Sequence, residues 1–176
     1  FAGDNLRAGE RAITFYNTLR TYVNNHETTS EFESPRLELR RFNTHDNGLT
    51  EKAEAYFSVR VPPGYDVDSL IDFVRDQANP AQIDCDQRLE GIVAAKNNPL
   101  IRGLLQGIRQ EGGRPTFKKK TGTSDMCLVG PAWRCPIAAY GPGDSNLDHT
   151  PGEHIVLAEY LKSIDVLTVV LKNLIA

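Results

Sequence analysis

The order of hydrophobic periods over the first 95 residues narrows the fold sharply: a helical period, two alternating stretches, a second helical period and a third extended stretch. From Leu6 to Val23, Ala12, Ile13, Tyr16, Leu19, Tyr22 and Val23 recur at helical spacing, which predicts an amphipathic helix with one apolar face. The polar, turn-rich stretch from Asn24 to Pro35 predicts a loop. Leu37, Leu39 and Arg41 alternate with charged residues, and Ala53, Ala55, Phe57 and Val59 alternate with polar ones. Both patterns predict half-buried strands, joined through Asn43-Thr44-His45-Asp46-Asn47-Gly48. Pro62-Pro63-Gly64 ends the second strand, and Asp66 to Asp68 offer caps for a helix through Leu70, Ile71, Phe73 and Val74. Gln82 to Val93 predict a further strand. Helix, strand, strand, helix, strand is a ferredoxin-like α+β sandwich without its first strand, which would lie just upstream of Phe1.

Lys96-Asn97-Asn98-Pro99 marks the expected boundary, giving domains over 1–95 and 96–176. Beyond it a helix is expected from Pro99 to about Glu111, ended by Gly112-Gly113. Short apolar segments follow at Thr116-Phe117 and from Pro136 to Tyr140. A final helix from about Glu153 to Ile175 carries Leu157, Leu161, Ile164, Thr168, Leu171 and Ile175 on one face. The opening Phe1-Ala2-Gly3-Asp4-Asn5 is neither an initiator Met nor a signal peptide, so the chain is expected to begin inside a longer polypeptide.

Composition removes several function classes. With 20 basic against 23 acidic residues and a net charge of -3, the chain is no polybasic nucleic-acid binder. The apolar C-terminal stretch is interrupted by Lys162, Asp165 and Lys172, short of the roughly 18 residues that a membrane span needs. Cys85, Cys127 and Cys135 are too few and too scattered for a disulfide framework, and no CxxC suggests a zinc knuckle. That usage fits a reducing compartment, so a cytoplasmic location is expected. A chain of 176 residues can bury a core without staples.

Two segments depart from ordinary loops. In Lys118-Lys119-Lys120-Thr121-Gly122-Thr123-Ser124-Asp125-Met126, small hydroxyl residues around a glycine precede an apolar run. Such a segment can present backbone N–H groups and hydroxyls to an anion, or simply form a charged turn and helix cap. The aspartyl-phosphate ATPase signature needs Asp where Lys119 stands, and the Ser-x-x-Lys of penicillin-binding enzymes is absent. The second segment, Tyr140 to His154, combines Gly and Pro with Asp144, Asp148, His149, Glu153 and His154. A loop leading into a helix is where α/β proteins place ligands. A solvated or structural histidine is the alternative, since a complete metal site needs three or four protein ligands.

Together, Lys120-Thr121-Gly122-Thr123-Ser124-Asp125-Met126, Gly130-Pro131-Ala132-Trp133, Tyr140-Gly141-Pro142-Gly143 and Asp148-His149-Thr150-Pro151 followed by Glu153-His154-Ile155 resemble a known superfamily. It comprises the aminoacylases, acetylornithine deacetylases, succinyl-diaminopimelate desuccinylases and carboxypeptidase G. The branch most resembled releases lysine or ornithine from an acyl group or an amino-group carrier protein. Arg60-Val61-Pro62-Pro63-Gly64-Tyr65 resembles the strand end of that family's inserted dimerisation domain. The resemblance implies an α/β architecture: a ferredoxin-like dimerisation domain followed by the C-terminal part of a zinc-peptidase-like catalytic domain.

It also implies hydrolysis of the amide bond in an N-acyl amino acid, with two divalent metal ions, zinc or cobalt, and a homodimer. His149, four residues before Glu153, falls at the family's last metal ligand. Gly122, Thr123 and Ser124 fall in the loop that holds the substrate α-carboxylate, and Arg60 would offer a guanidinium fork to a carboxylate. Asn47, thirteen residues before Arg60, matches an asparagine that polarises the carbonyl in the neighbouring subunit's site, although a hairpin turn alone accounts for an Asn there. His-x-Asp, the bridging aspartate and the Glu-Glu pair of the family are absent, so the chain is expected to be an inactive C-terminal fragment by itself. Cys127 stands where the branch tends to have Asn, Arg134 where it tends to have Gly, and Gly152 in place of Asn or Asp.

A noncatalytic dimerisation or binding module is the competing class, separated by whether His-x-Asp and Glu-Glu precede this sequence in the full-length gene. An RNA-binding sandwich is disfavoured, because the strands lack an exposed aromatic platform.

Overall fold

The computed structural model describes residues 6–175. The N-terminal pentapeptide, read above as an internal start, lies outside the described residues. The chain resolves into two compact units: residues through Gly91 with Lys120–Thr123, and Ile92–Lys119 with Ser124 onward.

In the first unit, α1 (Ala8–Asn24) is followed by a hairpin of β1 (Arg36–Asp46) and β2 (Glu51–Arg60), then by α2 (Val67–Ala78). The strands pair antiparallel, with Leu37 opposite Val59 and Leu39 opposite Phe57. Of these, Leu37 and Val59 meet Leu19 and Val23 of α1 and Leu70, Phe73 and Val74 of α2 in one core. Both helices therefore pack on one sheet face, as the sandwich reading expects. Tyr22 stacks on Phe73 at a ring separation of 4.0 Å, joining the helices directly. Asp66 caps α2, its carboxylate accepting the Ser69 N–H at 3.0 Å and the Ser69 hydroxyl at 2.6 Å. Those bonds hold the Asp66 carboxyl below its ordinary range, the hydroxyl contributing most.

The strict alternation read through Arg41 breaks. The register shifts between Leu39 and Arg41, so Arg40 is an extra residue in a β-bulge. Beyond it Arg41 faces Tyr56 while Phe42 faces Ala55, which turns Phe42 toward the helices and Arg41 away. The bulge keeps a charged residue out of the core that simple alternation would have placed there.

The expected strand over Gln82 to Val93 is not formed: this segment carries no ladder, and among the described residues the sheet has two strands. In a βαββαβ sandwich the last strand pairs with the first, and the described residues ahead of α1 hold no strand. The segment is anchored by side chains instead. Asp86 accepts the Tyr56 hydroxyl at 3.2 Å, and Arg88 pairs with Asp68 at 2.8 Å.

In the second unit, α3 (Pro99–Gln110), α4 (Met126–Trp133) and α5 (Leu157–Ile175) are the helices among the described residues. Asn98 caps α3 through the Ile101 N–H at 2.9 Å, with Pro99 in the first turn, where no N–H is needed. Gly112 takes φ +75° at the other end, and the Gly113 N–H reaches the Ile108 carbonyl at 2.7 Å, as the Gly-Gly stop predicts. The core joins Ile101 and Leu104 of α3 to Val166 and Val170 of α5. Gly103 and Gly107 let the two backbones approach closely. The segments at Thr116-Phe117 and Pro136 to Tyr140 form no strands.

Candidate functional site

Asn47 occupies the tip of the hairpin. Its Oδ1 accepts the N–H groups of Leu49 at 2.9 Å and Thr50 at 2.8 Å, and the Thr50 hydroxyl at 3.2 Å. Asp46 similarly accepts the Gly48 N–H at 2.7 Å, and Gly48 has φ +81°. The Asn47 oxygen thus builds the turn, and the amide nitrogen is its remaining polar group.

Arg60 ends β2, at the other end of the hairpin from Asn47. Its Nη2 donates to the carbonyls of Glu31 at 3.1 Å and Ser34 at 3.2 Å, tying the strand end to the loop ahead of β1. Nε and Nη1 keep three further donors. The structure places these two candidates a strand length apart, roughly 30 Å for ten residues.

Gly122, Thr123 and Ser124 are all exposed. Gly122 and Thr123 group with the first unit, whereas Ser124 leads into α4 in the second. Ser124 and Asp125 carbonyls receive the opening N–H groups of α4: Cys127 at 2.9 Å, Leu128 at 3.0 Å and Val129 at 2.8 Å. These are the helix's own opening bonds, and Asp125 adds no side-chain cap to them. The helix ends at Arg134, which adopts φ +50° and ψ +35°. That is the left-handed conformation glycine supplies at a helix end, and it gives a physical meaning to the expected Gly at this position.

The loop after Tyr140 is a succession of tight turns. Leu147 donates to the Asp144 carbonyl, Thr150 to Leu147, and Glu153 to Thr150, at 3.0 to 3.1 Å. His149 is exposed, with φ +62°, a conformation uncommon for a residue bearing a side chain. Its backbone N–H donates to Glu153 Oε2 at 2.8 Å. Glu153 therefore shapes the loop through the backbone of His149. A carboxylate four residues after a histidine was the available sequence signal, but the left-handed turn that unites them had none. His154 differs: its Nδ1 lies 2.8 Å from the Gly152 carbonyl. Burial raises the Tyr140 phenol, at the start of the loop, above its ordinary range.

Among the described residues, no group of three or more His, Cys, Asp or Glu side chains is placed to hold a metal ion. One exposed imidazole cannot complete a donor set of three or four, so these residues do not fit a metal centre by themselves. The three cysteines are free. No helix among the described residues is long and apolar enough to cross a membrane.

No family model matches the chain, whereas its curated relatives carry one kind of name. It is 42% identical over 151 residues to a LysW-lysine hydrolase of Deinococcus radiodurans, covering 82% of this chain and 40% of that protein. It is 45% identical over 125 residues to a Thermococcus kodakarensis protein provisionally named a LysW-lysine/LysW-ornithine hydrolase, covering 69% of this chain and 32% of that one. In fold it resembles the crystal structure of an M20 family metallo-carboxypeptidase from Sulfolobus solfataricus, with a TM-score of 0.60 and 18% identity. That likeness covers 96% of this chain and 45% of the other. The chain thus spans about a third to two fifths of the length of the curated relatives it matches. Over that stretch it belongs to the family of the LysW-lysine hydrolases and carries the fold of an M20 metallo-carboxypeptidase.

Proposed function

We propose that this chain serves a metal-dependent amide hydrolase that frees lysine or ornithine from an acyl group, with a LysW-type amino-group carrier protein as the substrate-bearing partner. The observation that carries the reading is 42% identity to a LysW-lysine hydrolase over 82% of the chain. On this reading Gly122, Thr123 and Ser124 offer N–H groups and hydroxyls to the α-carboxylate of the amino acid. Arg60 adds its remaining guanidinium donors, whereas Asn47, a strand length away, directs its amide nitrogen at the carbonyl to be cleaved in the neighbouring subunit's site. His149 supplies one imidazole to a centre of two divalent ions, zinc or cobalt, and the other donors come from outside these residues. The centre's chemistry is activation of water for attack on the amide carbonyl.

The first unit is the dimerising part, with 1–95 and 96–176 acting as the two functional domains, and the enzyme works in the cytoplasm. Nucleic acid and membrane have no part in it. The test is turnover by this chain co-expressed with the part of the Deinococcus radiodurans relative that it does not match. Lysine release from carrier-linked lysine is expected from the assembled pair and not from the chain alone. Release by the chain alone, or none from an assembled pair, would overturn the reading.

A further inference from the structure

The hairpin of β1 and β2 is a narrow two-stranded ribbon, and its last rung carries a conflict. Asp46 stands directly opposite Glu51 in the ladder, one carboxylate on each side of the Asn47-Gly48-Leu49-Thr50 turn. Like charges facing each other across a rung destabilise it, and a two-stranded ribbon is marginal by itself. Left alone, this pair would splay the tip that carries Asn47.

One arginine resolves the conflict. Arg7, the residue immediately before α1, donates from Nε to Glu51 Oε1 and from Nη2 to Asp46 Oδ2, each at 2.6 Å. Glu51 Oε2 also accepts the Ala8 N–H at 3.1 Å, so this carboxylate meets the positive end of a helix as well as a guanidinium. Glu10 Oε2 fixes the arginine in turn by accepting its backbone N–H at 2.8 Å. Gly9 lets the first turn of α1 come this close, since a β-carbon there would stand 3.2 Å from Thr44 Cγ2 of β1. The other oxygen of Asp46 accepts the Gly48 N–H at 2.7 Å, which joins the clamp to the turn that grips the Asn47 oxygen. An isolated exposed ion pair adds little, whereas a bidentate arginine in a network holds its partners in a fixed direction.

We infer that Arg7 is a positioning residue for Asn47: by holding Asp46 and Glu51 together across the last rung, it fixes where the Asn47 amide nitrogen points and so sets turnover in the site that Asn47 serves. The inference rests on the assignment of Asn47 to the neighbouring subunit's carbonyl made above. Arg7 touches no reacting atom on this reading; it acts through Asn47 alone. A donor aimed at a developing oxyanion loses most of its value when it is free to sway, so the effect belongs to kcat rather than to KM.

The experiment measures kcat and KM for lysine release by this chain co-expressed with the unmatched part of the Deinococcus radiodurans relative. Asn47→Ala should lower kcat about a hundredfold, as loss of an oxyanion donor does. Arg7→Ala should lower it about tenfold, with KM changed by less than about twofold. Adding Arg7→Ala to Asn47→Ala should cost nothing further, because the residue to be positioned is gone. Adding Asp46→Asn to Arg7→Ala should restore most of the lost kcat, since it removes the like charge and keeps an oxygen for the Gly48 N–H. Hydrogen exchange at Gly48, Leu49 and Thr50 of the chain itself should quicken severalfold in Arg7→Ala, a readout that needs no turnover. Losses that multiply in the double variant, or an Arg7→Ala enzyme with full kcat beside a crippled Asn47→Ala, would overturn the inference and leave the proposed function standing. Full turnover by Asn47→Ala would remove Asn47 from the site and the inference with it. An assembled pair without turnover would overturn the proposed function itself, and this inference along with it.

Discussion

Gly107 lies directly beneath the Val166 carbonyl, where a β-carbon on the glycine would stand 2.9 Å from the oxygen. One turn earlier, Gly103 is roomier, its nearest neighbour for such a carbon being Val170 Cγ1 at 3.5 Å. Alanine is the better helix former by about 1 kcal/mol, so the two sites should respond with opposite signs. Gly107→Ala must push α5 away and should cost about 1–3 kcal/mol net. Gly103→Ala should be neutral or stabilising by up to about 1 kcal/mol. Urea unfolding followed by helical circular dichroism checks both. Equal effects at the two positions would mean the helices are not in the described contact.

Arg134→Gly should stabilise the second unit by about 1 kcal/mol, because the arginine holds a left-handed conformation that costs a residue with a β-carbon. Arg134→Ala keeps the β-carbon and should gain much less. Thermal unfolding of the three proteins, with the glycine variant melting highest, is the expected ranking.

The Arg7 guanidinium donates to Glu51 at 2.6 Å, holding that carboxyl below its ordinary range, with the hydrogen bond as the main cause. A carboxyl depressed by folding contributes stability above its unfolded value, near 4.5, and loses that contribution as pH falls through the folded value. Glu51→Gln should therefore be less stable than wild type at neutral pH and converge with it in acid. Denaturation midpoints for both proteins across that range supply the check. A gap that persists below the folded value would assign the effect to packing.

His149→Ala in the assembled enzyme should lower metal content and cut turnover by orders of magnitude, whereas His154→Ala should be mild. The contrast follows from sequence position, His149 falling at the matched ligand position and His154 outside it. His149→Gly separates ring from backbone, because glycine accepts φ +62° freely and preserves the turn. Metal analysis alongside turnover on all three variants tests the assignment. Equal losses from the two alanine variants would place the ligand elsewhere.

Local chemistry made much of this fold readable. The caps at Asp66 and Asn98, the Gly112-Gly113 stop and the alternation of Ala53 to Val59 each concern residues a few positions apart. What escaped was set by distant partners. Gln82 to Val93 has the composition of a strand, but a strand exists only beside another. The bulge at Arg40 reverses which residues of β1 face inward, and no residue type announced it. On α5 the sequence pattern predicts a face of Leu157, Leu161 and Leu171, yet burial on α3 falls to Val166 and Val170, opposite the small Gly103 and Gly107. At the candidate site, the turn role of Asn47 was open to inspection. The Arg60 bonds to Glu31 and Ser34 carbonyls, 29 and 26 residues away, were not.

The hairpin tip has a built-in polarity. An asparagine amide in water can rotate and present either end, but three donors grip the Asn47 oxygen, so its nitrogen is the end left facing outward. The tip consequently selects by sign: it greets electron-rich oxygens and rebuffs N–H groups. Asparagine and aspartate differ here by one atom, and aspartate could keep every bond of the turn while reversing that sign. The shape of the tip and the kind of atom it welcomes are thus separately adjustable.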